Sequence, residues 1–454
     1  MDSPTPRREL GLFDVACVVI GGIIGVGIFF TPHGVAERTD SPGEMLAAWG
    51  LGGLLAVLGA LVFAELSTRV PGHGGIFRYI HAAFGPLPAF LYGWANWLVI
   101  QAGALGVVAI VLVDHLVMLV GGRDAHVSAD AQVALAVGVM LVFTVTNLFG
   151  LAVGKRVQNA LTVTKVVMIA LLACCAFFVV QHGTDAVKVP AGGSLSMRLS
   201  SALLPVLFAI GGWQQGSFLA GAARRPQRDV PLGILGGVAV VIGVYLAINV
   251  AYLALLGFPG MAASSKVGAD AATVVLGEPG GRVFALMVAL SAAGIMNTIC
   301  MAPPYVLYAM AQEGLFPRAF GELRGARQTP VFGVLGQGLW AIALLLGVHL
   351  ATRSSGSGAN DHLGFLCDGV VFVDWLFFTL CGLSLLVLRG RSGPAPFQVP
   401  GGAWIAVLFA LGAAAVTIGA VRMQAYSSAL GAGLVALGLP VYAVFRKGRS
   451  RQTH

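Results

Sequence analysis

Charged residues are scarce in this 454-residue sequence. Only 10% of the residues are Asp, Glu, Lys or Arg, and 57% are hydrophobic. A soluble globular domain carries roughly 25% charged residues to keep its surface hydrated. No stretch of the sequence is polar enough to cover a soluble core, which excludes a chain of several water-soluble domains. We therefore expect a single membrane domain over residues 1–454.

Motifs for catalysis and cofactor binding are also missing. A G-x-x-x-x-G-K-[ST] loop is absent, which excludes a nucleotide-driven pump. No His, Cys and carboxylate cluster converges in the sequence, so we expect no enzyme, no metal and no cofactor. The six cysteines all lie inside apolar runs, with neither disulfide nor metal-ligand spacing, which is typical of packing residues.

Long apolar runs dominate what is present. A helix that spans a bilayer needs about 20 mostly apolar residues. Twelve runs fit, near residues 13–36, 44–67, 86–120, 131–150, 157–180, 198–221, 232–256, 282–311, 331–350, 364–388, 402–421 and 425–445.

The net charge of +8 has an uneven distribution along the chain. With both termini in the cytoplasm, most Lys and Arg residues lie on the inner side, as the positive-inside rule requires. The basic clusters at 224–228 and 446–451 then face anionic headgroups. We expect a multi-pass protein of the plasma membrane, specifically a bacterial inner membrane, with both termini cytoplasmic and no nucleic acid partner.

Two of the runs contain glycines near their middle. The first holds Gly21, Gly22, Gly25 and Gly27, and the sixth holds Gly211-Gly212-Trp213 followed by Gly216. Paired glycine interruptions in corresponding positions of two halves indicate a transporter's binding site. Broken helices leave free N–H groups for an anion and free C=O groups for a cation. An amino-acid zwitterion has both charges. The alternative is that these glycines serve close helix packing.

Several longer motifs carry a resemblance to a known family. Gly22-Ile23-Ile24-Gly25-Val26-Gly27-Ile28-Phe29 and the segment from Ala64-Glu65-Leu66 to Gly93-Trp94 resemble the amino acid-polyamine-organocation (APC) permease superfamily, specifically its L-amino acid transporter branch. The remaining motifs are Val157-Gln158-Asn159 with Lys165, Ala220-Gly221 with Pro226, Arg228 and Pro231, and the segment Tyr308 to Pro317.

The resemblance implies an all-α membrane protein of about twelve transmembrane helices. Its fold would be a LeuT-type five-plus-five inverted repeat with broken helices 1 and 6, plus two terminal helices. The single transporter domain would then divide into the cytoplasmic N-terminus, the first repeat, the second repeat, helices 11 and 12, and the cytoplasmic tail, at residues 1–12, 13–180, 198–388, 402–445 and 446–454.

The resemblance also implies the substrate-binding residues. The carboxylate would face the backbone after Ile23, at Ile24, Gly25, Val26 and Gly27. The amino group would meet carbonyls near Ile20 and at Phe208, Ala209, Ile210 and Gly211. Phe208 is expected to be an aromatic gate, with a lipid-facing or packing role as the alternative. Asn297 is expected close to the substrate, with hydrogen bonding between helices as the alternative.

Lys165 is an ionisable residue well inside the fifth run. An intramembrane lysine is costly and usually faces a partner or carbonyls. We expect its ammonium to replace a coupling sodium ion by donating to carbonyls near Gly21 and Gly22. The alternatives are that Lys165 snorkels to the interface, or that it releases its proton and couples transport to pH.

Other charged and polar positions refine this prediction. Relatives often have acidic residues where this chain has Gln214 and Ala222, so we expect neutral substrates. Asp14 and Glu65 lie near the ends of runs, where a charge reaches headgroups cheaply. Asp374 lies about ten residues into the tenth run, so we expect it to face the protein interior or a wet cavity.

The combined prediction is a secondary active amino acid transporter, a sodium-independent permease or exchanger working by alternating access for neutral L-amino acids. Its partners would be a small amino acid and the lipid bilayer. The loop 121–130 has no cysteine, so we expect no disulfide-linked heavy subunit, and a homodimer is left open. The alternatives are a non-transporting amino-acid sensor, a membrane enzyme on the same fold, and a polyamine or cationic amino acid permease.

Overall fold

The computed structural model describes residues 8–122, 125–179, 192–264, 266–325, 327–355, 359–423 and 425–450. Residues 1–7 of the predicted N-terminal segment and 451–454 of the predicted tail lie outside this part of the chain.

Twelve spans make up the fold, as the sequence predicts. In the described chain, eleven helices are long and apolar enough to cross a bilayer, and one bent pair of helices makes a twelfth span. In chain order, α1 to α12 are Leu12–Ile23 with Gly27–Ala36, Pro42–Arg69, Pro86–Gly121, Ala129–Leu148, Leu151–Phe178, Leu195–Phe218, Pro226–Ala263, Gly280–Gln312, Val331–Ser355, Ala359–Arg391, Ala403–Met423 and Ala425–Phe445. β structure in the same residues is limited to two isolated bridges.

The predicted interruptions in the first and sixth spans are present. The two halves of α1 meet at an angle of 47°. α6 is helical up to Ile210 and regains a short helical turn at Gln215–Phe218. The two breaks touch each other at Gly212, whose φ is 121° and where a Cβ would lie 2.4 Å from the carbonyl oxygen of Gly22. Only glycine combines this backbone conformation with so close an approach.

The spans form two five-helix repeats followed by α11 and α12. Each repeat begins with a broken helix. In each repeat a short helix also follows the second span, Ile76–Phe84 after α2 and Val267–Leu276 after α7. These matching features define a LeuT-type five-plus-five all-α membrane fold.

Buried apolar side chains form two separate clusters. The smaller cluster joins α3, α4, α8 and α9 through residues such as Leu105, Met140, Ile299 and Leu345. The larger one joins α1, α2, α6, α7 and α10 with parts of α3, α5, α8 and α11. The broken helices therefore pack in the larger cluster, which α3 and α8 share with the smaller one.

Two carboxylates near span ends are paired inside the protein rather than directed at headgroups. Glu65 is fully buried and accepts hydrogen bonds from Arg69, Arg389 and the backbone N–H of Val399. Asp14 accepts from Lys155 at 2.9 Å and from Asn159 at 2.6 Å. Burial of each charge is thus offset by charge-assisted hydrogen bonds.

Candidate functional site

A cavity of about 180 Å³ lies at the two helix breaks. At about 30 Å³ per water molecule, it has room for a small solute. The backbone of α1 and α6 forms one side, through Gly25, Val26, Gly27, Ala209 and Gly211. Side chains of α3, α8 and α10 complete the lining, with Gln101, Thr298, Asp374, Trp375 and Phe378 among them.

The start of the second half of α1 presents free N–H groups to this cavity. No described backbone carbonyl accepts from the N–H groups of Gly25, Val26 or Gly27, and no side chain caps this helix end. The N-terminus of a helix with unbonded N–H groups attracts an anion, because the helix dipole adds to the hydrogen bonds. The break in α1 therefore has the geometry of a carboxylate site.

Three of the predicted backbone positions do not line the cavity. Ile20, Ile24 and Ile210 are all buried beside it. The Ile24 N–H donates to the Ile20 carbonyl at 2.7 Å. This bond extends the first half of α1, so the Ile24 N–H and the Ile20 carbonyl are already paired with each other. Ile23 does line the cavity.

The end of the first half of α6 offers carbonyl oxygens. In the described chain no donor bonds the carbonyl oxygens of Phe208 or Ile210. The Ala209 carbonyl is occupied by a tyrosine hydroxyl from α7, because Tyr245 lies 3.1 Å from the carbonyl oxygens of both Ala209 and Ile23. Tyr245 thus connects the two breaks through hydrogen bonds, and no sequence motif predicts this role.

Lys165 is buried behind the break of α1. Its Nζ donates to the carbonyl oxygen of Gly21 at 3.1 Å and also to that of Ile24. α8 closes the other side, since a Cβ at Gly294 would lie 2.9 Å from Nζ. The hydroxyl of Ser291 on α8 also donates to the Ile24 and Gly25 carbonyls. The ammonium therefore joins α1, α5 and α8 and does not reach towards the membrane surface.

Asn297 faces away from the cavity. Its amide donates to Gln158 at 2.9 Å and to the Gly154 carbonyl at 3.0 Å, and it accepts from Asn147 at 3.1 Å. These contacts are the alternative expected for it, hydrogen bonding between helices. The next residue, Thr298, lines the cavity in its place.

Phe208 lies at the cavity and is 44% exposed. A packing residue in the core would be covered, whereas a lipid-facing ring would also be exposed. The gate role of Phe208 stays a prediction.

A non-standard turn in α3 supplies polar side chains that sequence reasoning missed. Residues Asn96–Gln101 form a π-helical turn, in which residues five apart come together. Gln101 Nε2 accordingly donates to Asn96 Oδ1 at 3.0 Å. Gln101 lines the cavity and accepts from Gln215 of α6 at 3.4 Å. An amide-rich turn inside an apolar run is the signal that could have indicated it.

Comparison with known proteins agrees with this architecture. The sequence profile of the family described as amino acid permease matches residues 10–442. The chain is 28% identical over 405 residues to the b(0,+)-type amino acid transporter 1 of Homo sapiens, which covers 87% of this chain and 79% of that protein.

Two further relatives cover nearly the whole chain. The serine/threonine exchanger SteT of Bacillus subtilis (strain 168) is 26% identical over 450 residues, 98% of each chain. The cystine/glutamate transporter of Homo sapiens is 28% identical over 444 residues, 97% of this chain and 85% of that protein.

The fold and the cavity at its two broken helices are those of a multi-pass membrane permease. The chain belongs to the amino acid permease family of the APC superfamily, as its motifs predict.

Proposed function

We propose that this protein is a secondary active transporter of amino acids that works by alternating access. The observation that supports the proposal most directly is the cavity between the breaks of α1 and α6, where free N–H groups and free carbonyls face one space. An amino acid brings one negative and one positive group to such a site. The names of the relatives, all transporters or exchangers, agree with this function.

The zwitterion occupies the cavity in a defined orientation. Its carboxylate accepts from the N–H groups of Gly25, Val26 and Gly27. Its ammonium donates to the carbonyl of Phe208, which lines the cavity and lacks another described donor. Because these contacts use the backbone alone, they hold the part that every amino acid shares.

Two groups of helices supply the moving parts. The group α1, α2, α6 and α7 rocks against the group α3, α4, α8 and α9, and helices of both groups line the cavity. Backbone hydrogen bonds between Leu10 and the segment Ala222–Arg224 hold the N-terminal residues against the end of α6. Phe208 closes over the substrate.

Transport is sodium-independent in this proposal. The Lys165 ammonium donates to carbonyls of α1 beside the break, between α5 and α8. A fixed positive charge there braces the broken helix, as a bound cation would. A coupling ion is then unnecessary at this position.

The transporter is proposed to lie in the plasma membrane of a bacterium with both termini cytoplasmic, because Lys and Arg then concentrate on the inner side. Exchange of one amino acid for another is the proposed mode, since SteT is named a serine/threonine exchanger. One mouse relative is named a small subunit, which implies an assembly for that protein. A disulfide-linked subunit is not proposed for this chain, because its loop 121–130 contains no cysteine.

The expectation of neutral substrates needs separate consideration. The expectation of neutral substrates was based on Gln214 and Ala222, two positions in or just after the sixth span that carry no carboxylate. Asp374 of α10 lines the same cavity, so the side-chain part of the site is not free of carboxyl groups. The substrate class is therefore argued below from the whole lining.

Uptake of labelled amino acids into liposomes containing the pure protein tests the proposed function. Vesicles preloaded with a mixture of the twenty amino acids are expected to accumulate label faster than empty vesicles, because exchange needs an internal partner. Binding without uptake or exchange would overturn the proposal and favour an amino-acid sensor.

A further inference from the structure

The tenth span contributes an ionisable side chain to the cavity. Asp374 lies among Phe372, Trp375 and Phe378, and both Trp375 and Phe378 pack against Trp213 in the break of α6, with ring centroids 6.0 Å and 5.1 Å away. This packing fixes α10 against the substrate site. No side chain or backbone donor of the described residues bonds the Asp374 carboxylate.

Two buried amide oxygens in the same lining also lack a donor. Gln214 is 4% and Gln215 6% exposed, and Oε1 of each has no hydrogen-bond partner in the described chain. Both residues line the cavity. Leaving a buried acceptor unpaired costs about 1–3 kcal/mol, so such groups indicate a missing donor.

Three polar side chains of the lining already use their donors. Gln215 Nε2 donates to Gln101, and Gln101 Nε2 donates to Asn96. The hydroxyl of Thr298 donates to the Gly294 carbonyl at 3.0 Å. The Oε1 acceptors of Gln214 and Gln215 therefore receive no donor from these three side chains.

The ionisable side chain in the described lining is acidic. Among the described residues around the cavity, Asp374 is the only ionisable one, and no Lys, Arg or His accompanies it. A carboxylate at this depth is costly unless it meets a positive partner or water. A cationic group of the substrate would pair with it and fill the acceptors beside it.

We propose that Asp374, together with the Oε1 atoms of Gln214 and Gln215, forms a subsite for amino acids with a cationic side chain. This inference depends on the proposed function, since the backbone site must hold the α-carboxylate and α-ammonium. A guanidinium carries five N–H donors, enough to satisfy the carboxylate and the amide oxygens together. Arginine is therefore the substrate we expect to fit best, with lysine and ornithine in the same class.

Arginine and citrulline make a matched pair for testing the subsite, because citrulline keeps the shape of arginine without its charge. Liposomes containing the full chain are assayed for uptake of labelled arginine, citrulline and leucine, with the membrane potential held at zero by potassium and valinomycin. Wild-type protein is expected to take up arginine with at least about tenfold higher apparent affinity than citrulline, since hydrogen bonds to charged groups contribute about 1.5–3 kcal/mol.

Asp374→Asn is the decisive variant. It keeps the size of the side chain and is expected to weaken the apparent affinity for arginine about tenfold or more, while leucine uptake stays within about twofold of wild type. Glu322→Gln is the matched control, because Glu322 is an exposed loop residue paired with Arg324. It should leave both substrates unchanged.

Other outcomes separate the inference from the function on which it depends. Leucine uptake without any arginine uptake would overturn the cationic subsite and leave the transporter intact. An equal loss of arginine and leucine in Asp374→Asn would also overturn it, because the carboxylate would then act in the transport cycle. Failure of all three amino acids to enter or to exchange would instead overturn the proposed function.

Discussion

Lys165 Nζ donates a 3.1 Å hydrogen bond to the carbonyl oxygen of Gly21, just before the break in α1. Lys165→Ala removes this donor and the one to Ile24, which leaves the buried Gly21 carbonyl oxygen unpaired at about 1–3 kcal/mol, while Ser291 still donates to the Ile24 carbonyl. We expect the variant to lose most transport while it keeps some binding in a thermal-shift assay. Arg156→Ala, an exposed position on the same helix, is the control and should transport normally.

The position of Lys165 also leads to a prediction about the sodium dependence of transport by the wild-type protein. Replacing sodium by choline on both sides of the liposome membrane is expected to leave uptake unaffected, because the Lys165 ammonium occupies the place of a coupling ion. A clear sodium requirement would contradict this role of Lys165, whatever the variant does.

A side chain at Gly25 would enter the α1 break and displace Ile295 of α8. A Cβ there would lie 2.1 Å from Cδ1 of Ile295, which itself lines the cavity. Gly25→Val should insert and fold yet show no thermal shift with any of the twenty amino acids. Gly243→Val is the matched control, since Gly243 is exposed on α7 with nothing within 4 Å of its Cβ. Normal transport by Gly25→Val would move the site elsewhere.

Phe208 is expected to govern the rate of the transport cycle. Removing its ring in Phe208→Ala leaves the backbone carbonyls in place but opens the cover of the substrate, so turnover should slow more than binding weakens. Exchange rates and thermal shifts measured side by side test this. Phe178→Ala removes a ring that is 89% exposed and serves as the control. An unchanged exchange rate in Phe208→Ala would return Phe208 to a packing role.

Two tyrosines on the same face of α7 make a matched pair. Tyr245 donates to the carbonyls of Ile23 and Ala209 at 3.1 Å, whereas the buried hydroxyl of Tyr252 has no partner in the described chain. Tyr245→Phe should lower the free energy of unfolding by about 1–3 kcal/mol and weaken substrate binding. Tyr252→Phe should be neutral or slightly stabilising. Thermal denaturation in detergent measures both, and equal effects would contradict the bracing role.

His73, in the loop after α2, predicts a pH dependence of stability. Burial lowers the pKa of His73 to about 4, from an ordinary value of 6.5. The unfolded chain therefore binds this proton first, and about 3 kcal/mol of stability is lost as the pH falls from about 6.5 through about 4.

His73→Phe should remove that part of the acid sensitivity, because Phe retains the stacking on Tyr305 without a titrating group. Melting temperatures at pH 7.5 and 4.5 give the comparison, with the exposed His126→Phe as control. If wild type and His73→Phe lose the same stability between these pH values, a group other than His73 causes the acid sensitivity.

Much of the architecture was readable from the sequence because lipid imposes simple rules. Each span needs about 20 apolar residues, and a broken helix needs glycines in its middle. The twelve runs and the two interruptions follow directly from these requirements. Contacts between residues far apart in the chain do not follow from these requirements. Glu65 was therefore assigned to the headgroup region, although it is buried against Arg389.

The lining of the cavity was harder to predict for a geometric reason. Consecutive residues on an α-helix point about 100° apart, so an error of one position turns a side chain out of the site. Thr298 lines the cavity and Asn297 does not. The π-helical turn at Asn96–Gln101 further changes which residues of α3 face the cavity. No hydrophobic pattern in the sequence indicates such a turn.

The Glu65–Arg389 pair also has a consequence for how the chain is made. The two residues are 324 positions apart, so at about 5–20 residues per second Arg389 is synthesised roughly 15–65 s after Glu65. During that interval α2 enters the bilayer without its later partner. Arg69, one helical turn away at 2.8 Å, is available from the start and neutralises the carboxylate until α10 arrives. The second arginine thus allows Glu65 to be inserted before the structure that buries it exists.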